Sequence, residues 1–150
     1  MQSFLRTFSL LLILLTSCKE KLAEPEHFFG TIDLTEGNYK LVGLGLEGMW
    51  VDDFRNFYVD DLTTLQKMQR QWIFEYSVPP TACGYGYNLK LLRDTTVIKG
   101  AFVNIDCEYM SAKDHPWRYF PANYLTDHKA NFKRLTAEQR SAIESMNGKK

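Results

Sequence analysis

The chain has 150 residues, with 18 Lys and Arg against 18 Asp and Glu, and a formal net charge of zero at neutral pH. This balance argues against nucleic acid, which rewards strongly basic surfaces, and the length suits one domain with a modest core. The charges are separated along the chain, with ten acids against four bases between Lys19 and Asp61, and eight bases against four acids between Lys113 and Lys150. The preferred reading is that the two ends lie close in the fold and neutralise each other. The other is a basic C-terminal surface facing anionic lipid headgroups or an acidic partner.

In chain order, Arg6 and the amino terminus form a short positive region, followed by the apolar run Phe8–Leu15, broken only by Ser9. A membrane-spanning helix needs roughly 20 apolar residues, so this run has the length of a signal-peptide core instead. It ends in Leu15-Thr16-Ser17-Cys18, an aliphatic residue and two small ones before a cysteine. This resembles the lipobox of bacterial lipoprotein precursors. The resemblance covers residues 1–18 and implies cleavage before Cys18, lipidation of its thiol and anchoring to a membrane through acyl chains. It divides the chain into a signal peptide (1–17), a lipidated cysteine with a polar tether (18–27) and one globular domain (28–150). Lys19, rather than an aspartate, stands after the cysteine. That implies the outer membrane, with the periplasmic or surface face left open.

Residues 28–33 (FFGTID) and 39–46 (YKLVGLGL) read as strands around the turn cluster Thr35-Glu36-Gly37-Asn38. Asn56–Val59 is a further strand. Asp60 or Asp61 then caps a helix running to about Trp72, with Leu62, Leu65, Met68 and Trp72 at helical spacing. Residues 72–76 read as extended and buried, stopped by Pro79-Pro80. Ser111–His115 is a polar loop, Trp117–Phe120 a last strand, and the region near 122–132 a helical turn. Thr136-Ala137-Glu138-Gln139 has the form of a capping box, and Asn147-Gly148 ends the helix it opens. The order of elements implies an α+β domain, a mostly antiparallel sheet covered by one or two helices.

With Cys18 lipidated, Cys83 and Cys107 form an even pair in a disulfide-permissive compartment. Period-two alternation sets Cys83, Tyr85, Tyr87, Leu89 and Leu91 on one strand face. Val97, Ala101, Val103, Ile105 and Cys107 share a face on the next strand. Taking Asp94-Thr95-Thr96 as a three-residue loop puts Arg93 opposite Val97. The same register carried along puts Cys83 opposite Cys107, within disulfide reach. A bulge near Gly84 or Gly86 would break that register.

Gly43-Leu44-Gly45-Leu46-Glu47-Gly48 matches a dinucleotide fingerprint by letter, but no helical periodicity follows it. The glycines therefore read as close-packing positions, and no cofactor is expected. Asp52-Asp53 and Asp60-Asp61 read as capping and solvated turns, not as a calcium site. His27, His115 and His128 have no ligand spacing. Tyr85 and Tyr87 on one strand, with Trp117 and Tyr119 later, are the candidate ligand-binding residues, since Tyr and Trp combine contact area with a polar tip. The sequence thus points to an envelope lipoprotein that binds a protein partner or a small ligand. Alternatives are a sugar-binding module using the aromatic cluster or a small envelope hydrolase.

Overall fold

The computed structural model describes residues 25–47, 50–78, 83–112 and 118–146. Among them the strands are β1 (Glu26–His27), β2 (Tyr39–Gly45), β3 (Asn56–Val59), β4 (Ile73–Phe74), β5 (Tyr87–Arg93), β6 (Thr96–Asn104), β7 (Tyr109–Ser111), β8 (Arg118–Tyr119) and β9 (Lys133–Arg134). The helices are α1 (Leu62–Gln71), α2 (Asn123–Thr126) and α3 (Ala137–Ser145), with a 3-10 turn at Lys129–Asn131. Every strand pairing is antiparallel, in the order β8-β7-β6-β5-β2-β3-β9, and β1 pairs separately with β4. The chain is an α+β domain, as its pattern implies.

Alternation along the strands assigns the two faces of the sheet. Leu41, Phe57, Val59, Leu89, Leu91, Ala101, Val103 and Met110 point inward and join Leu65 and Met68 of α1 in the main core. Trp72, the residue after α1, is fully buried amid Phe28, Phe29, Phe74 and Phe120 at ring-centroid separations of 5.5, 5.6, 6.2 and 5.5 Å. Val42, Leu44 and Leu92 point outward, where Ile143 of α3 covers them. Asp61 caps α1, its carboxylate accepting from Thr64 N and Oγ1 at 2.7 Å each. These bonds favour the ionised acid and hold its carboxyl below the usual range. The capping box of α3 forms as expected, Gln139 N donating to Thr136 Oγ1 at 3.2 Å and Thr136 N to Gln139 Oε1 at 2.9 Å.

The β5–β6 hairpin departs instructively from its expected form. Arg93 pairs with Thr96, not Val97, so the turn has two central residues, Asp94 and Thr95, with Asp94 at φ +54°. Left alone, that shorter turn would slip β6 by one residue and send Ala101 and Val103 to the outer face. A bulge prevents this. Leu92 pairs with Val97 and Leu91 with Lys99, so Ile98 is the inserted residue, and from there to Tyr87–Val103 the expected register holds.

Residues 28–33 form turns, not a strand. Gly30 lies at φ +57°, and its N–H donates to His27 O at 3.0 Å. The apolar pair Phe28-Phe29 anchors the chain on Trp72 instead of alternating across a sheet. Pairing begins earlier, at Glu26–His27 against Ile73–Phe74, within the segment expected to be tether. β7 and β9 fall where the sequence pattern marked no strand, and Ser111, read as the start of a loop, ends β7. Pro79-Pro80, Lys113–Trp117 and Asn147-Gly148 lie outside the described residues.

The separated charges meet. Lys129 Nζ lies 2.8 Å from Asp52 Oδ2, Lys133 Nζ lies 2.7 Å from Asp60 Oδ1, and the Arg134 guanidinium binds the Asp53 carboxylate. These exposed pairs each contribute at most about 1 kcal/mol, but they answer the question posed by the charge separation in favour of mutual neutralisation.

Candidate functional site

α3 packs on the outer face over Val42 and Leu44 of β2 and Leu92 of β5, with Tyr58 of β3 and Val97 at the start of β6 beside them. On the β6–β8 side, Phe102 pairs with Ser111, Asn104 with Tyr109, and Tyr109 with Tyr119. Directly paired residues share a face, so Phe102, Tyr109 and Tyr119 all point outward. Tyr85 lies on them, its ring 5.3 Å from Phe102 and 5.4 Å from Tyr109. The result is a continuous aromatic strip with Tyr109 as its buried floor and Phe102 and Tyr119 exposed.

Hydrogen bonds fix this strip from beneath. Tyr109 Oη donates to the carbonyls of Cys83 and Gly84, at 2.5 and 2.8 Å, and burial pushes its phenol pKa up. Asn104 Nδ2 also reaches Gly84 O, while Asn104 Oδ1 accepts from Asp106 N and Cys107 N at 2.9 and 2.7 Å. The Cys83–Cys107 disulfide, with Cα atoms 6.6 Å apart, staples the same two segments together. The expected pairing is therefore present, but not as a rung of the hairpin. Cys107 sits in the tight β6–β7 turn, where Glu108 takes φ +49°, and Cys83 precedes the start of β5.

Tyr119 Oη donates to Glu108 Oε2 at 2.9 Å, which raises its pKa, and Glu108 Oε1 accepts from Ala122 N at 3.2 Å. One carboxylate thus joins the end of the strip to the start of α2.

The four aromatic residues expected from sequence separate. Tyr85 and Tyr119 belong to the outer strip. Tyr87 does not share Tyr85's face: it is fully buried in the main core, its hydroxyl spent on backbone groups. The bend at Gly86 between the two tyrosines breaks the period-two pattern. Trp117 and Cys18 lie outside the described residues. Phe102 was missed, although its phase was legible: it stands between Ala101 and Val103, both inward, and so must point out.

Gly43 and Gly45 lie within β2, and the next helix among the described residues, α1, opens only at Leu62. A Cβ on Gly43 would run into the ring of Phe57, and one on Gly45 into the carbonyl of Arg55, so close packing accounts for both. His128 is buried with Nε2 2.7 Å from Gln71 Oε1, and burial pushes its pKa down. Among the described residues no three His, Cys, Asp or Glu side chains gather as a metal site. No helix among them is long and apolar enough to cross a membrane. The bonded cysteines offer no thiolate for nucleophilic chemistry. Between α3 and the sheet lies a cavity of about 160 Å³, lined mainly by apolar groups including Val42, Leu92 and Ile143. Comparison with known families, with curated proteins and with solved structures finds no match to this chain.

Proposed function

We propose that the protein is a lipid-anchored envelope module, held on the bacterial outer membrane through Cys18, whose folded domain binds a partner through the aromatic strip of β6–β8. The observation that carries the anchor is the sequence Leu15-Thr16-Ser17-Cys18 directly after the apolar run Phe8–Leu15. Two of the three cysteines are joined to each other, which leaves Cys18 for acylation. A disulfide also suits a compartment outside the cytoplasm. The binding role rests on Phe102 and Tyr119, large rings left exposed side by side with Tyr85 and Tyr109 on the outer face, since exposed aromatic surface of this kind marks contact sites.

Growth with an alkyne-bearing fatty acid, followed by detergent extraction, tests the anchor. The wild-type protein takes up the label and fractionates with the outer membrane, while Cys18→Ala takes up none and is released from it. Equal labelling of the two proteins would remove the reading.

A further inference from the structure

The exposed end of the outer face carries charge as well as rings. The bridge between Tyr76 and Arg118, together with the bond from Tyr119 N to Glu75 O at 2.9 Å, sets Glu75 opposite Tyr119 and on the same face. Glu108 is held at the Tyr119 hydroxyl, and Asp106 is exposed in the turn beside it. Among the described residues no Lys or Arg forms an ion pair with Glu75, Asp106 or Glu108, whereas Asp52, Asp53 and Asp60 each have a basic partner. Negative potential therefore arises twice on one surface, from uncompensated carboxylates and from the faces of the aromatic rings.

Within the reading of a tethered binding module, we propose that this face docks a basic, extended segment of a partner protein. Its Lys or Arg side chains lie over Phe102 and Tyr119 and direct their charges to Glu75 and Glu108. From Phe102 on β6 to Glu75 beyond β8 is three strand spacings, about 15 Å at about 4.8 Å each. Four or five extended residues cover that distance. Arginine suits the surface best, because its planar guanidinium stacks on a ring while its N–H groups bind a carboxylate. A neutral sugar could use the same rings but would draw nothing from the net charge.

The test titrates full-length acylated protein in detergent with a labelled six-residue peptide alternating Arg and Ser. A peptide alternating Glu and Ser and a tetramer of N-acetylglucosamine are run beside it. The Arg peptide binds, and more weakly as salt rises. Glu75→Gln and Glu108→Gln each lower its affinity about threefold, and Tyr119→Ala about fivefold. Arg140→Ala, on α3, leaves it unchanged. Should Tyr119→Ala lose its fold by circular dichroism, the exposed Glu75→Gln carries the comparison. Equal binding of the Glu peptide, binding of the tetramer in place of the Arg peptide, or indifference to both Glu→Gln changes would overturn the proposal. Loss of fatty-acid labelling with Arg-peptide binding kept would remove the anchor and leave this surface. Intact labelling with no Arg-peptide binding would do the reverse.

Discussion

The hydroxyl of Tyr87 is clamped between two backbone groups of one loop, accepting from Val51 N at 2.7 Å and donating to Phe54 O at 2.6 Å. β5 thereby fixes the connection from β2 to β3, and with it Asp52 and Asp53, which receive Lys129 and Arg134. Removing the hydroxyl leaves a buried donor and acceptor without their partner. Tyr87→Phe should therefore lower the unfolding free energy by about 1–3 kcal/mol in urea denaturation.

The same phenol makes a pH signature. Burial, and to a lesser degree the charge of Asp52, pushes its pKa up to about 12 from the ordinary 10.0. Between those values the unfolded chain has lost a proton that the folded chain keeps, so stability falls as pH rises. The melting temperature should drop between pH 10 and 12, less steeply in Tyr87→Phe. An equal drop in both proteins would assign the effect elsewhere.

Gly43 faces Phe57 across the β2–β3 pairing, where a Cβ would meet the ring. That ring cannot retreat freely, since it stacks on Phe132 at 3.9 Å with the planes 3° apart and meets Tyr87 edge-on at 5.4 Å. Gly43→Ala should cost about 1–3 kcal/mol through overpacking. Gly84 has nothing within 4 Å of its added Cβ, so Gly84→Ala is the matched control and should leave the denaturation midpoint nearly unmoved.

Local chemistry was legible in the sequence, and long-range pairing was not. Asn56–Val59, the Asp61 cap and the Thr136–Gln139 box follow from turn residues and capping atoms lying next to the elements they define. The hairpin face was readable because Leu89, Leu91, Ala101 and Val103 alternate. Its turn was not, because a two-residue turn with a bulge and a three-residue loop without one bring the same residues together beyond Leu91. The outer strip needed tertiary knowledge. Whether a tyrosine in an alternating run is core or surface depended on the bend at Gly86, and β7, which supplies Tyr109, is only three residues long.

The disulfide closes a loop of 24 residues in sequence separation. In the chain-entropy account such a loop contributes about 3 kcal/mol by restricting the unfolded chain. Reduction, or the double change Cys83→Ser and Cys107→Ser, should lower stability by about 2–4 kcal/mol in guanidinium titrations. Because Asn104 and Tyr109 hold the same segments, hydrogen exchange at Asp106 and Cys107 should accelerate before that of β2 does. Simultaneous acceleration throughout the sheet would show that the bridge supports the whole fold rather than this end of it.

Lys90 poses the opposite problem, a charge that the fold would be more stable without. It lies on the outer face between Val42 and Gly100, is only 2% exposed, and its ammonium donates to Ile143 O of α3 at 3.3 Å. Burial pushes its pKa down, and the attraction of Glu144 recovers only part of the loss. Between the lowered folded value and the ordinary 10.5, the unfolded chain binds more protons than the folded one, so this residue's contribution improves as pH rises. Below that window the full penalty of the buried ammonium applies. Lys90→Met keeps an unbranched side chain one atom shorter and removes the charge beside Val42 and Leu92. It should raise stability at pH 7 by on the order of 1 kcal/mol, with a smaller gain at pH 10 where the wild-type penalty fades. A destabilised Lys90→Met would mean instead that the bond to Ile143 O is what holds α3 on the sheet, and α3 amides would then exchange faster in that variant.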